Sequence, residues 1–445
     1  MAAKGSNPKK QSSFRHTRAI QRDRTKRPTV GPLDEDVEKL LKEVVHPATL
    51  AQVSAYWDMG LRERILTLPV MIAVVLSMLW RQIPGTSELA RTLRDEGLLW
   101  VKATKVSQQA LSTRLRVIPA RLFHEVLMAV LPVMQERWRK RARPLPEAVA
   151  WASSRFSRVL ALDGSTLDVL LRKVGLLRGS ETPTLAGRMA ALLDVVSQLP
   201  ARIWYEEDSQ AHDQRFWERA IACLEKDTLL LIDLGFTNYP IFDRLTEKGV
   251  WFITRAKANA AYQPVRILAQ GGAFCDQIVR LGTKGAQCAH EMRLVQVLHE
   301  GKWYRYLTNV LDPEVLAPVY VVALYWQRWR IEDAFNHVKR LLGLVHFWAG
   351  SINAVQVQVW ATWLLYAVLI DLTDAVAERL HVPFRTVSLE MVYRGLYHYT
   401  QAHHRGDAYD PVAYLADNAD WLGVLKRKRR PTPEELLRLT ICQNA

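Results

Sequence analysis

Two aspartates follow short apolar runs in the same way, and this repeated pattern is the first sign of chemistry in the sequence. Asp163 ends the run VLALD and Asp233 ends the run LLLID, with a glycine one or two residues later. Runs of four or five apolar residues are typical of strands buried on both faces, and the residue that ends such a strand emerges at the edge of the sheet. If the two strands are neighbours, about 4.8 Å apart, both carboxylates can bind one metal ion. A single aspartate at such a point is more often a cap or turn residue.

A third carboxylate, Glu332, lies on a predicted helix from about Val322 to Leu342. At about 100° per residue, four polar side chains fall in one stripe about 60° wide: Tyr325, Arg328, Glu332 and Lys339. The opposite side of the helix carries apolar residues that can pack on a sheet. A solvent-exposed charged face is the ordinary interpretation of such a stripe, but a tyrosine within it and a glutamate between two cations favour a site.

Three carboxylates of this kind suit phosphodiester chemistry. Hard oxygen ligands hold Mg²⁺ or Mn²⁺, and two such ions about 3.5–4 Å apart can activate an attacking oxygen and stabilise the leaving one. The cations would then position phosphates. Arg328 offers a planar fork, Lys339 a point charge, and Tyr325 a hydroxyl that needs no counter-ion.

The elements that must position these residues form a mixed α/β pattern from Ser157 onward. Short β-rich runs alternate with helices at Asp213–Leu224 and Tyr239–Lys248, and residues 258–302 have the scattered glycines and alternating Val/Leu of a β-rich insertion. The predicted strands outside that insertion are Arg158–Asp163, Met189–Val196, Arg202–Glu206, Thr228–Asp233, Val250–Arg255 and Tyr304–Val310.

The first third of the chain is predicted to be helical. Asp34–Val45 reads as a short helix, and helical patterns continue to about Lys140 with little strand signal. In Val106–Leu115, Ser107 is a plausible N-cap, and Gln108, Gln109, Ser112 and Thr113 face outward. A helix that reads DNA has this composition, and so does an ordinary capped surface helix. The basic, proline-punctuated segment 138–146 is typical of a linker.

Charge is concentrated in two segments of the 445 residues. The net charge is +15, of which residues 1–30 contribute +8 and the unbroken basic run 426–430 contributes +5, so the rest of the chain is nearly neutral. The 49% hydrophobic content excludes a disordered polycation. Four cysteines without a C-x-x-C pair support neither a disulfide framework nor a zinc ribbon. We expect a cytoplasmic, nucleoid-associated protein.

Two apolar stretches, 65–80 and 355–370, fall short of the roughly 20 residues of a spanning helix. The first contains Pro69, and the second contains Gln356 and Gln358. We expect both to be buried core helices, and we expect no membrane partner.

Taken together, these residues resemble the DDE transposases of bacterial insertion sequences, specifically the insertion-sequence-four type. That family's signature, Y-(2)-R-(3)-E-(6)-K, is matched at every spacing within YWQRWRIEDAFNHVK. Its motifs D-G-(S/T) and D-x-G-(F/Y) match the residues beginning at Asp163 and Asp233, and F-(I/L)-T-R-x-K matches Phe252–Lys257. The resemblance covers roughly residues 155–370.

The resemblance implies an α/β fold with a ribonuclease-H-like catalytic core in residues 155–257 and 303–375, interrupted by the β-rich insertion 258–302. A basic arm (1–30) and an all-helical DNA-binding domain (31–145) would precede this core. A C-terminal helical region and tail (376–445) would follow it.

The resemblance also implies Mg²⁺- or Mn²⁺-dependent cleavage at the ends of the element, followed by joining of the 3′-OH ends to target DNA by a homodimer in the DNA complex. In that family's manner, Asp163, Asp233 and Glu332 would bind two metal ions and carry catalysis. The residues that would contact the terminal inverted repeats or target DNA are Tyr325, Arg328, Lys339, Arg255 and Lys257.

Two alternatives use the same residues differently. A structure-selective nuclease on the same fold would share the carboxylates but should lack the Tyr/Arg/Lys stripe and the insertion. A non-mobile DNA-binding protein derived from a transposase would not need the intact triad. Other acids also lie close to the motifs: Asp168, Asp194, Asp243 and Asp333. Helix phase disfavours Asp333, at roughly 80° from Tyr325, whereas Asp168 is a candidate supporting residue.

Overall fold

The computed structural model describes residues 35–61, 64–167, 187–208, 212–283, 286–344 and 351–427, together with residue 441. The basic arm 1–30, Asp168 and most of the run 426–430 lie outside the described residues. In the described part, a ten-stranded mixed sheet carries helices on both faces.

The six strands predicted outside the insertion all form. They are β1 (Arg158–Thr166), β2 (Arg188–Asp194), β3 (Pro200–Glu206), β4 (Thr228–Ile232), β5 (Trp251–Arg255) and β10 (Lys302–Thr308). The β-rich region between β5 and β10 forms β6 (Tyr262–Gly271), β7 (Phe274–Thr283), β8 (Ala286–Gln287) and β9 (Met292–His299). The sheet order is β3-β2-β1-β4-β5-β10-β9-β7-β6, with β8 paired to β7.

The centre of the sheet is parallel and its two ends are antiparallel. β1 pairs in parallel with β4, and β4 with β5, whereas β2 is antiparallel to both β1 and β3. The strands of the insertion continue the same sheet, because β9 pairs with β10 and β7 with β9. The insertion is therefore a continuation of the sheet rather than a separate layer.

Alternate side chains of the central strands enter two different cores. Val159 and Ala161 of β1 belong to one buried cluster, and Leu160 and Leu162 belong to the other. This explains the unbroken apolar runs, since a strand covered on both faces needs apolar residues at every position.

Helices cover both faces. On one face lie α8 (Trp217–Cys223) and α9 (Tyr239–Glu247), whose buried side chains join the smaller cluster. The larger cluster is formed with α10 (Pro318–Gln327), α11 (Trp329–Asn336) and α12 (Ile352–Arg379). After α12 come α13 (Leu389–His404) and α14 (Pro411–Asp417).

The segment before the sheet is helical in the described residues, as predicted. It contains α1 (Glu35–Leu50), α2 (Val53–Asp58), α3 (Leu68–Trp80), α4 (Thr86–Asp95), α5 (Gln108–Val117), α6 (Ala120–Lys140) and α7 (Glu147–Ser153). Their buried side chains belong to the same cluster as α12, so these helices and the sheet share one continuous core.

The two apolar stretches are buried helices in this fold. α3 is almost entirely buried. By length and composition α12 would be able to cross a membrane, but 94% of its most apolar window is covered by the rest of the protein. Ion pairs also join α12 to the helical segment, since Arg137 and Arg141 at the end of α6 both contact Asp371 of α12.

One predicted element differs in detail. The expected continuous helix 322–342 is divided into α10, α11 and a π-helical turn, His337–Leu341. The division falls at Arg328, where the amides of Arg328 and Ile331 donate to carbonyls three residues earlier, at 3.0 and 3.1 Å. Backbone bonds of that 3₁₀ type tighten the helix.

Candidate active site

The two aspartates lie at the same level on neighbouring parallel strands, as the sequence predicts. Leu162 of β1 is in register with Ile232 of β4, so Asp163 and Asp233 follow at equivalent positions. β1 does not end at Asp163, however. It continues to Thr166 because residues 163–166 pair with residues 188–191 of β2. Asp163 therefore stands on a rigid strand, and Asp233 begins a turn.

Glu332 completes the group from the facing helix. α11 contacts β1 and β2, and all three carboxylates contact one guanidinium. Arg328 Nη1 lies 3.1 Å from Asp163 Oδ2 and 3.0 Å from Glu332 Oε1, and its Nη2 lies 3.4 Å from Asp233 Oδ1. We call Asp163, Asp233 and Glu332 the acidic triad.

Arg328 is almost completely enclosed, with 4% of its side chain exposed, whereas Asp233 and Glu332 are 39% and 35% exposed. Burial alone would lower the pKa of the guanidinium, but Tyr325 and the acidic triad raise that pKa above its ordinary value. Arg328 is thus a fixed cation inside a group that opens to solvent on its carboxylate side.

Asp163 is the least exposed acid of the triad. The pKa of its carboxyl is raised to about 7, because burial and the charges of Asp233 and Glu332 outweigh the lowering effects of Arg328 and the Gly164 amide. That amide donates to Asp163 Oδ1 at 2.7 Å. Three acids facing one guanidinium leave an excess of negative charge, which is the condition that attracts a cation.

The residues fit a hard divalent metal by their donor chemistry, since Mg²⁺ and Mn²⁺ prefer carboxylate oxygens. Among the described residues no three Asp, Glu, His or Cys side chains are arranged as a ready-made metal cage, and at the triad the Arg328 guanidinium lies among the carboxylates. The triad thus has the oxygen ligands that such a metal ion prefers, and in this structure these oxygens contact Arg328.

Tyr325 lies beneath the triad rather than at the surface. It is 4% exposed and packs edge-on against Tyr306 of β10, with ring centroids 5.4 Å apart. Burial raises the pKa of its phenol to about 12, while Arg328 lowers it and Asp233 raises it. The tyrosine therefore supports Arg328, whose Cζ lies 5.7 Å from its ring.

The other predicted cations lie around the triad at different depths. Lys339 is half-buried in the π-helical turn. Arg255 ends β5, with its guanidinium 5.5 Å from the ring of Tyr304. Lys257 follows two residues later and is exposed. Because β5 is the parallel neighbour of β4, Arg255 and Lys257 lie at the same edge of the sheet as Asp233, where both strands end.

A partly buried ion pair, not predicted from the sequence, lies against both motif glycines. Asp213, in the 3₁₀ turn Asp213–Phe216, pairs with Arg188 of β2. A Cβ added to Gly164 would collide with Asp213 Oδ1, and one added to Gly235 would lie 3.4 Å from Asp213 Oδ2. The glycines of D-G-S and D-x-G-F therefore make room for this carboxylate. Asp213 is far from both motifs in the sequence, so no local pattern predicts its contact with their glycines.

Trp329 is a second residue that the sequence analysis missed. It directly follows Arg328, is 46% exposed, and has its ring 5.0 Å from the Arg328 Cζ. Trp326 stacks on it with ring centroids 6.5 Å apart. The signal was present in the run YWQRWR, in which two tryptophans three residues apart must share one helix face.

The neighbouring acids have structural partners. Asp194 accepts from the amides of Val196 and Ser197, and Asp243 accepts from those of Ala289 and His290. Asp333 lies 3.5 Å from Arg330. These contacts are typical of turn and surface residues, so none of the three joins the triad.

Parts of this chain are similar in sequence to known transposases. Residues 155–368 match the family described as Transposase DDE domain. The protein y4zB of Sinorhizobium fredii, named as a transposase, is 30% identical over 191 residues, which cover 41% of this chain and 52% of y4zB. A Geobacillus stearothermophilus protein named as a transposase for insertion sequence element IS5377 is 25% identical over 166 residues, covering 36% of this chain and 43% of that protein. The chain thus spans about half the length of the curated relatives it matches.

A solved structure of the piggyBac transposase synaptic complex with hairpin DNA aligns over 93% of this chain and 89% of that chain, with 10% identity and a TM-score of 0.40. An alignment at this score is too loose for the two sites to be compared residue by residue.

Proposed function

We propose that this chain is a transposase that cleaves DNA at the ends of an insertion sequence and joins the freed 3′-OH ends to target DNA. The observation that carries the proposal is the acidic triad, gathered from two parallel strands and a facing helix around one buried arginine. The match of residues 155–368 to the Transposase DDE domain supports the same activity.

We propose that the catalytic core is ribonuclease-H-like and of the insertion-sequence-four type. The strand order β3-β2-β1-β4-β5, with β2 antiparallel to its neighbours and β1, β4 and β5 parallel, supports the first part. The Tyr325, Arg328, Glu332 and Lys339 spacing supports the second.

The acidic triad would hold Mg²⁺ or Mn²⁺. Two such ions, when bound, supply activation of an attacking oxygen and stabilisation of the leaving oxygen of a phosphodiester. The protein's part is to place the carboxylates. β1 fixes Asp163 on a paired strand, the Asp213–Arg188 pair braces the backbone beside it, and α11 brings Glu332 to the same point.

The residues around the triad would hold the DNA. Lys339, Arg255 and Lys257 would supply positive charge for phosphates, whereas Arg328, whose two Nη atoms contact the carboxylates, would keep the triad assembled. Trp329 offers an exposed aromatic face on which a base can stack. Since two ends of an element must be brought together, we propose that the active form on DNA is a homodimer.

The test is a cleavage assay on a duplex that carries the inverted repeats bracketing the reading frame in its genome, with Mg²⁺ or Mn²⁺. Asp163→Asn, Asp233→Asn and Glu332→Gln should each abolish cleavage. Asp333→Asn, which changes the exposed neighbour of Glu332, is the matched control and should cleave like wild type. Equal cleavage by all five proteins would refute the site.

A second assay separates the transposase from a nuclease on the same fold. Pre-cleaved ends with a free 3′-OH are offered with a supercoiled plasmid, and covalently joined products are measured. A transposase joins the ends to the plasmid in a reaction that needs Asp163. Cleavage without joining would identify a nuclease instead.

A further inference from the structure

Helix α5 carries a polar and basic surface that the acidic triad does not use. Its exposed side chains include Gln109, Ser112, Thr113 and Arg116. At about 100° per residue these four lie within about 100° of one another, and we call them the reading face. Leu111 and Leu115 on the other side of the helix are buried.

The chain segment that carries the reading face lacks acidic residues. No Asp or Glu occurs in residues 97–124, which hold five Lys or Arg. Lys102, Lys105 and Arg121 are exposed on either side of α5. By contrast, α1 alone has four acidic residues. Residues 97–124 therefore carry a formal charge of +5, which is complementary to a polyanion.

The helix is held firmly in place. Ser107 caps its first turn by accepting from the Ala110 amide at 3.1 Å. At its other end the chain bends by 74° into α6. The Asn353 side chain at the start of α12 secures this bend, donating to the carbonyls of Arg116 and Ile118 at 3.2 and 2.6 Å and accepting from the Ala120 amide at 3.0 Å.

We propose that α5 lies in the major groove of duplex DNA and reads base edges with its reading face. This inference rests on the proposed function and identifies the part of the chain that selects the DNA sequence. An α-helix with its side chains is about 10–12 Å in diameter and the major groove is about 12 Å wide, so one helix such as α5 fits. Glutamine recognises adenine, arginine recognises guanine, and serine and threonine accept several bases.

The flanking cations have a different task. Lys102, Lys105 and Arg121 contact phosphates, which fix the position of α5 in the groove without carrying sequence information. The two groups of residues thus predict two kinds of loss. Changes in the reading face remove the preference for one sequence, and changes in the flanking cations weaken binding to every sequence alike.

The test is a selection from a library of duplexes with a randomised central region of about 20 base pairs, performed with the full chain. Wild type should enrich one sequence. The triple variant Gln109→Ala, Ser112→Ala, Thr113→Ala should bind that sequence and the starting library equally, a loss of discrimination of at least about 10-fold, since each good base contact contributes about that much. Alanine favours helix, and an unchanged thermal unfolding midpoint verifies the fold.

Two controls accompany it. Gln263→Ala with Gln270→Ala, on the exposed edge strand β6, should enrich the same sequence as wild type. Lys102→Ala with Lys105→Ala should weaken binding to the enriched sequence and to the starting library by the same factor, with a shallower salt dependence.

The outcomes separate this proposal from the proposed function. Enrichment of the wild-type sequence by the triple variant overturns the role of α5, and so does a wild type that enriches nothing, even if its cleavage needs Asp163. Loss of enrichment in the triple variant supports α5 even if cleavage proves independent of Asp163, a result that would overturn only the proposed function.

Discussion

Arg328 and Asp163 form an ion pair of 3.1 Å between Nη1 and Oδ2, and the same guanidinium also contacts Asp233 and Glu332. One buried cation therefore balances three acids that would otherwise repel one another. A divalent ion that binds the acidic triad must share those carboxylates with Arg328. Arg328 therefore holds the three carboxylates together and would compete with a divalent ion for them.

Arg328→Met is expected to lower the free energy of unfolding in metal-free buffer by about 1–3 kcal/mol, because the carboxylates lose their hydrogen-bonded counter-charge. Mn²⁺ should then raise the melting temperature of the variant more than that of wild type, since the ion binds ligands that no longer contact an arginine. Calorimetric melting in EDTA and in MnCl₂ measures both effects. Arg330→Met, which removes the neighbouring Asp333 contact, is the control, and equal Mn²⁺ shifts in all three proteins would contradict the competition.

Gly164→Ala is expected to destabilise the protein by about 1–3 kcal/mol and to impair cleavage, because the added methyl group would collide with Asp213 Oδ1. Urea unfolding together with the cleavage assay measures the change. Gly272→Ala is the control, since a Cβ there meets nothing within 4 Å.

A double-mutant cycle tests the physical reason for that effect. Asp213→Ala alone leaves Arg188 without its partner. In the Gly164→Ala, Asp213→Ala double variant the collision is gone, so the two losses of stability should be less than additive. Strict additivity would show that Gly164 is required for some reason other than the room occupied by Asp213.

His337 should contribute a loss of stability on mild acidification. Burial lowers the pKa of this imidazole below its ordinary value of 6.5, so the folded state favours the neutral ring. The stabilisation is complete above pH 6.5 and is lost as pH falls below that value towards the folded-state pKa. His337→Gln should therefore lose less of its melting temperature than wild type between pH 7.5 and 5.5. An identical loss in the two proteins would exclude the contribution of His337.

Deleting residues 1–28, which hold nine Lys or Arg and one Asp, should flatten the dependence of DNA affinity on salt, because fewer counterions are released on binding. Binding measured by fluorescence anisotropy at several salt concentrations gives the slope. Metal-dependent cleavage at low salt should remain. Its loss would show that the basic arm does more than attract DNA.

Much of this fold was predictable because its central strands are buried on both faces. The apolar runs ending at Asp163 and Asp233 predict such strands, and both strands form. The position of Glu332 followed from helical periodicity alone. The triad was therefore accessible from local patterns.

The remaining features depend on contacts between distant segments. The extension of β1 to Thr166 requires pairing with β2, and the joining of the insertion to the sheet requires pairing of β9 with β10. The helix division at Arg328 coincides with its contacts to three acids from separate elements. Asp213 reaches the motif glycines only through the fold. No periodicity within one segment encodes such relationships.

Asn353 connects the proposed DNA-reading helix to the part of the chain that carries the acidic triad. This one side chain joins the bend between α5 and α6 to the start of α12, and α12 packs against both α6 and the π-helical turn that carries Lys339. If α5 reads the DNA, no flexible linker separates the bases recognised from the bond cut. The protein then fixes the number of base pairs between the recognised bases and the cleaved bond. Insertion of a single base pair into the DNA would rotate the cleavage point away from the acidic triad.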